Sequence, residues 1–213
     1  MTDPFWLYLH GFASSPQSAK AQYLSDRCTE QGHPLTILDL NQNDFTHLTL
    51  SRQLTQAAAS FPPDRPVTVI GSSLGGLTAA WLAQQQPQVE RLILLAPAFG
   101  FLNHWLARLG EDAIAQWHST GFHPVYHYGA QREIPLHDDF LTDAEAYEHL
   151  AALTRPIPTL ILHGIHDDVI PVAASRDYAQ SRPWVKLIEL DSDHLLAHVM
   201  PEIWEAVRSF CRG

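Results

Sequence analysis

Apolar residues in this chain gather in short runs, with polar, helix-spaced stretches between them. Residues 5–9, 35–40, 67–71, 91–96, 159–163 and 185–190 are rich in branched apolar side chains, and most are bounded by Gly, Pro, Asn or Asp. Runs of this length and composition predict strands. Several are apolar almost throughout rather than alternating, as strands covered on both faces are. Between them lie helical patterns. Residues 19–30 follow the turn and N-cap material Ser14-Ser15-Pro16-Gln17-Ser18 and are closed by Gly32 and Pro34. Residues 48–61 carry Leu50, Leu54, Ala57, Ala58 and Phe61 at helical spacing. Residues 77–83, 171–180 and 195–211 also read as helices. Strand and helix alternate, which predicts an α/β class: one domain over 1–213, a mostly parallel six-stranded sheet, and helices on both faces.

One stretch breaks the alternation. Between Pro97 and Pro158 no sheet strand is evident. Residues 102–109 and 143–153 look helical, and residues 122–128 and 132–136 flank Gly129-Ala130 as a hairpin would. The stretch holds Trp105, Trp117, Phe122, Tyr126, Tyr128, Phe140 and Tyr147. An excursion this long is usually functional, so a cap or lid over residues 99–153 is expected, with Trp117 and Tyr126 as candidate substrate-binding residues. The alternative is a structural insertion whose aromatics form its own small core.

Composition narrows the function classes. The chain has 213 residues, 46% hydrophobic and 17% charged, which is a globular balance. A formal net charge of −10 argues against nucleic acid or an anionic membrane as partner. Cys28 and Cys211 match no metal spacing and read as reduced thiols of a cytoplasmic protein. The first residues lack the basic region of a signal peptide, and no apolar stretch is long enough to span a bilayer. No cofactor motif is present.

The chemistry centres on Gly71-Ser72-Ser73-Leu74-Gly75-Gly76, which joins the predicted strand 67–71 to the helix that follows. A strand turning this sharply into a helix needs small residues beside the turning residue. Gly-x-Ser-x-Gly in that context is the nucleophile elbow of α/β-hydrolases. Centring on Ser73 places Gly71 and Gly75 at the flanks. Centring on Ser72 places Ile70 and Leu74 there, both bulky, so Ser73 is the candidate nucleophile.

A serine hydroxyl needs a base, and the base an orienting carboxylate, in the chain order Ser, Asp or Glu, His. Asp167 lies three residues after the strand-closing Gly164, with Asp168 as its rival. His194 lies in the loop after the sixth strand, with His198 as its rival. At the end of the first strand, His10-Gly11-Phe12 places the Phe12 N–H where it can join the Leu74 N–H as an oxyanion donor. Two rival readings remain: a metal hydrolase built on His163-x-x-His166-Asp167 and His194-x-x-x-His198, and a non-catalytic binding protein on the same fold.

Leu9-His10-Gly11-Phe12-Ala13-Ser14-Ser15-Pro16-Gln17-Ser18-Ala19-Lys20-Ala21 resembles the opening motif of the small bacterial YqiA-type esterases. The Ser73 elbow with Ala80-Trp81-Leu82, the Asp167-Asp168-Val169-Ile170 loop and the His194 loop are similar to theirs in place and spacing. The resemblance implies a compact serine esterase without extra N-terminal strands. It would act on small-molecule acyl esters, with acyl-CoA or other thioesters as the alternative substrate class.

Overall fold

The structure, a computed structural model, describes residues 3–212. Six strands form one sheet: β1 (Phe5–Leu9), β2 (Leu35–Ile37), β3 (Val67–Ser72), β4 (Val89–Leu95), β7 (Thr159–Gly164) and β8 (Val185–Leu190). Their order is β2-β1-β3-β4-β7-β8, and every pairing is parallel. The apolar runs are explained by two-sided burial. Leu7, Leu9, Val67, Val69, Leu92, Leu94 and Ile161 point into one core. Trp6, Tyr8, Ile70, Ile93, Leu95, Leu160 and Leu162 point into the other. Successive side chains of each strand thus enter opposite cores.

Helices α1 (Ala19–Glu30) and α8 (Met200–Arg212) cover the second core, while α2 (Leu50–Ala59), α3 (Leu74–Gln85) and α7 (Val172–Gln180) cover the first. Ser18 caps α1 by accepting the Ala21 N–H, as its place in the turn predicts. The chain steps from β1 out to β2 and then back across to β3, so the direction of winding reverses between β1 and β3. Crevices at such a reversal are where open α/β sheets place their sites.

The expected elements differ from the observed ones at a few points. The second strand stops at Ile37; the Leu38 N–H still reaches Tyr8 O (3.4 Å), and the Leu40 N–H donates to His10 Nε2 (3.0 Å). The last helix starts at Met200, not at residue 195. Leu196 takes a left-handed backbone (φ 56°), and a short 3₁₀ turn at Ala197–Val199 intervenes.

The insertion between β4 and β7 contains α4 (Phe101–Leu109), α5 (Glu111–Thr120), an antiparallel hairpin of β5 (Phe122–His127) and β6 (Arg132–His137), α6 (Asp139–Glu145) and a 3₁₀ turn at Leu150–Ala152. Helix α5 is not evident in the sequence, because only Trp117 on it is buried and its apolar stripe is thin. The helix expected over 143–153 lies earlier. It ends where the Tyr147 carbonyl accepts the Trp81 indole N–H (2.8 Å) and the Glu148 carboxylate accepts the Leu102 N–H. Pro124 and Pro135 face each other across the hairpin, which an isolated pair of edge strands tolerates.

Candidate active site at the carboxyl edge of the sheet

Ser73 joins β3 to α3 with no intervening loop. Its backbone (φ 53°, ψ −120°) lies in a region that costs a non-glycine residue strain. The surroundings hold it there. Its N–H donates to Leu95 O, and its carbonyl accepts from the N–H groups of Gly76, Leu77 and Ala98. The two flanking glycines are required sterically. A Cβ at Gly71 would collide with the Gly75 carbonyl, and one at Gly75 with the carbonyls of Leu9 and His10. The small-residue pattern thus has a cause: α3 packs against both β3 and the end of β1.

The neighbouring Ser72 looks the other way. It is buried, and its Oγ accepts from the Lys20 ammonium (3.1 Å) on α1. Ser73 is half-buried and faces His194, whose Nε2 lies 3.0 Å from Oγ. His194 Nδ1 lies 2.7 Å from Asp167 Oδ2, an acceptor, so Nδ1 carries the proton and Nε2 has a free lone pair toward the serine. Asp167 sits in the turn after β7 with its side chain wholly enclosed. Its Oδ1 accepts the N–H groups of Val169 and Ile170 (2.9 and 2.8 Å). Burial pushes the Asp167 carboxyl up, but hydrogen bonds from His163 and His194 and from the Ile170 N–H outweigh it. They hold Asp167 well below the usual carboxylate range.

The rivals lie elsewhere. Asp168 is exposed and offers only its carbonyl, to Arg108 (3.1 Å), and α7 has no side-chain cap. His198 is exposed, with Nε2 3.0 Å from the Asp191 carbonyl. The histidines of the metal reading diverge. His166 is exposed and pairs with Asp191, whereas His163 is buried against Asp167 and Ser175. Among the described residues, the group whose donor atoms could share a cation is His137, Asp138 and Asp139 at the end of β6.

The loop after β1 closes the site from the other side. A Cβ at Gly11 would stand 3.2 Å from Ser73 Cβ. Among the described residues, no hydrogen bond outside regular helices and strands uses the N–H of Phe12 or Leu74. The Leu74 N–H opens α3, where helix donors have no internal partner and the dipole favours negative charge.

The Phe12 side chain is the hub of an aromatic cluster. Its ring lies 5.3–5.8 Å from Phe45, Phe101, Trp105 and Phe140. Two of these belong to α4 and one to α6, so the insertion packs directly on the residue after Gly11, where a Cβ would stand 3.2 Å from Ser73 Cβ. The aromatics of the insertion divide. Trp117 and Phe140 are fully enclosed, with Trp117 donating its indole N–H to Leu136 O (3.0 Å). Trp117, expected as a substrate contact, is thus enclosed and hydrogen-bonded within the insertion. Tyr126 and Tyr128 are exposed and stack edge to face on the hairpin, which is tied to the loop after β1 through Tyr128 N–H and Ala13 O (2.8 Å). A cavity of about 540 Å³ lies on the flank, lined by Phe99, His104, Leu150, Tyr178, Arg182 and Trp184 among others, and includes none of Ser73, Asp167 or His194.

Sequence reasoning missed Lys20 and the role of His163. Lys20 lies within the opening motif, but nothing in the sequence places it under Ser72. No helix among the described residues is long and apolar enough to cross a membrane.

The family whose model matches residues 5–211 is described as "Uncharacterised protein family (UPF0227)", in line with the YqiA-type resemblance. Among solved structures, the chain is similar to a protein of Agrobacterium vitis S4 (TM-score 0.83, 23% identity, covering 97% of this chain and 87% of that one). It is also similar to Est1E of Butyrivibrio proteoclasticus with ferulic acid bound (0.81, 20%, 99% and 88%). A third is alpha/beta hydrolase domain-containing protein 10 from mouse (0.76, 21%, 98% and 91%). These likenesses give the fold, that of the α/β-hydrolases.

Proposed function

We propose that this chain, which belongs to the UPF0227 family, is a serine hydrolase that cleaves carboxylic esters through an acyl-enzyme on Ser73. His194 Nε2 takes the hydroxyl proton as Ser73 Oγ attacks the ester carbonyl carbon. The imidazolium so formed keeps its Nδ1–H on Asp167, which orients the ring and balances the charge. The carbonyl oxygen becomes an oxyanion, with the N–H groups of Phe12 and Leu74 as its donors. As the tetrahedral species collapses, the imidazolium returns its proton to the leaving alkoxide and the alcohol departs. Water then attacks the acyl-serine with His194 again as base, releasing the carboxylic acid and restoring Ser73.

The observation that supports this reading most is the continuous hydrogen-bonded chain Asp167–His194–Ser73, drawn from the ends of three strands. Thioesters are the alternative substrate, since the same atoms would act on a thiol leaving group. The test is fluorophosphonate labelling with peptide mapping, run beside a panel of esters. The panel grades acyl chains, adds acyl-CoA thioesters, and adds a feruloyl ester because Est1E holds ferulic acid. Labelling on Ser73, lost in Ser73→Ala and kept in Ser72→Ala, is expected. An adduct on Ser72, or full activity in Ser73→Ala, overturns the proposal. Activity lost in chelator with no label on Ser73 favours the metal-dependent reading.

A further inference from the structure

Asp167 is shared between two histidines. Its Oδ2 meets His194 Nδ1 at 2.7 Å and His163 Nε2 at 3.1 Å. His163 stands near the end of β7 and is fully enclosed. Its ring nitrogens can be assigned from their partners. Nε2 faces two acceptors, Asp167 Oδ2 and the Ile170 carbonyl (2.9 Å), so it carries a proton. Nδ1 lies 2.8 Å from Ser175 Oγ on α7, also fully enclosed. With neutral His163, the Ser175 hydroxyl donates to Nδ1 and every polar atom is satisfied. A protonated ring would turn the Ser175 hydroxyl into an acceptor and leave its own proton without a partner. The arrangement therefore runs symmetrically about the carboxylate. Ser175 and His163 form a sealed arm, and Ser73 and His194 the arm that faces substrate.

We propose that His163 is a positioning residue for the Ser73 site. It donates Nε2–H to the same oxygen that receives His194, fixing that oxygen's aim and drawing off part of its negative charge. This rests on the serine-hydrolase reading above. The physical consequence concerns how tightly His194 holds its proton. Asp167 Oδ1 is separately pinned by the Val169 and Ile170 N–H groups, so removing His163 leaves the carboxylate in place. The charge on Oδ2 then falls wholly on His194 and stabilises its imidazolium. Other ionisable groups around the pair are Lys20 from α1, whose ammonium acts on Asp167 and Asp193, and Asp193 itself in the loop after β8. Glu189, opposite His163 in the β7–β8 register, is engaged by Arg176.

The experiment compares wild type, His163→Leu, His163→Gln and Ser175→Ala with the full chain. It reads the pH profile of kcat/KM on an ester the wild type cleaves. His163→Leu is expected to move the acidic limb upward by about one pH unit, the scale of one lost hydrogen bond to a charged group, with KM little changed. His163→Gln keeps an N–H donor and is expected to restore most of the shift. Ser175→Ala is expected to move the limb the same way by less. An unmoved limb in folded His163→Leu, or identical profiles for the Gln and Leu variants, overturns the proposal. The second measurement needs no variant: ¹⁵N chemical shifts of the wild-type imidazoles. They are expected to show the His163 Nε2–H tautomer. The Nδ1–H tautomer overturns the proposal even where His163→Leu does not fold. If wild-type Ser73 takes no fluorophosphonate, the hydrolase reading fails, and the ¹⁵N result still decides the His163 arrangement by itself.

Discussion

The carboxyl edge of the sheet and the insertion between β4 and β7 present the same chain under two regimes. At the sheet edge, each site residue is placed by an element whose geometry is repetitive. Ser73 sits where a parallel strand must become a helix, and Asp167 and His194 follow the ends of β7 and β8. The backbone there admits few solutions, as the Gly71 and Gly75 contacts show. The insertion has no such constraint. It folds by collecting aromatics, and its helix limits are set by side-chain hydrogen bonds to the rest of the molecule, such as Trp81 to Tyr147 O and Ser51 N–H to Asp143. One region is specified by local pattern, the other by what it packs against. They meet at Phe12, which follows the Gly11 that approaches Ser73 and whose ring lies among Phe101, Trp105 and Phe140.

The largest effect expected from either region is at the edge. Asp167→Asn keeps the turn but deprives His194 of its oriented tautomer. Turnover should fall by about 10⁴, the scale seen when a serine protease has its triad aspartate replaced by asparagine. Asp168→Asn, exposed and outside the hydrogen-bonded chain, should leave turnover nearly unchanged and stability within about 0.5 kcal/mol. Kinetics at matched folded fraction decide it, and the reverse ranking would transfer the acid to Asp168.

In the insertion, the main effect expected is on stability. Trp117→Ala removes an enclosed indole and its hydrogen bond to Leu136 O, and should cost about 3–5 kcal/mol in denaturant unfolding. Total activity should fall equally on every ester, tracking the folded fraction. Tyr126→Ala, on the exposed hairpin, should leave stability nearly unchanged and alter the acyl-chain profile instead. An unchanged profile would make the hairpin a structural element only.

Phe12→Ala tests the joint between the two. The backbone N–H remains, but the ring that four aromatics hold is gone. If the insertion sets the position of that N–H, kcat should drop about tenfold, a fraction of the roughly 10²–10³ that losing a whole oxyanion donor costs. Loss of stability with kcat intact would separate the regions.

The most gradual effect is a slope. Burial pushes the Lys20 ammonium down to about 8, against the pull of Asp167 and Asp193. Between about pH 8 and lysine's ordinary value near 10.4, the unfolded chain then binds more protons at this site than the folded one, so stability should rise with pH across that window. Below it both states are protonated and the site adds no slope. Lys20→Met should flatten this part of the unfolding curve, and an unchanged slope would mean that Lys20 is solvated in solution.

Much of this molecule was determined by sequence alone. The six strands, their burial on both faces, the position of Ser73 at the strand-to-helix turn between Gly71 and Gly75, and the placement of Asp167 and His194 after strand ends follow from period, residue size and the sterics of one sharp turn. Those rules act over a few residues and are written locally. What only the tertiary structure decided acts between distant segments. Examples are the Leu40 N–H bound to His10, the helix of the insertion displaced to Asp139–Glu145, Trp117 sealed inside, Lys20 beneath Ser72, and His194 sharing Asp167 Oδ2 with His163. Each depends on a partner distant in sequence, as Leu40 is from His10 and Ser72 from Lys20, or on a ring orientation set by packing. No local pattern encodes which of several histidines, lysines or tryptophans will find that partner.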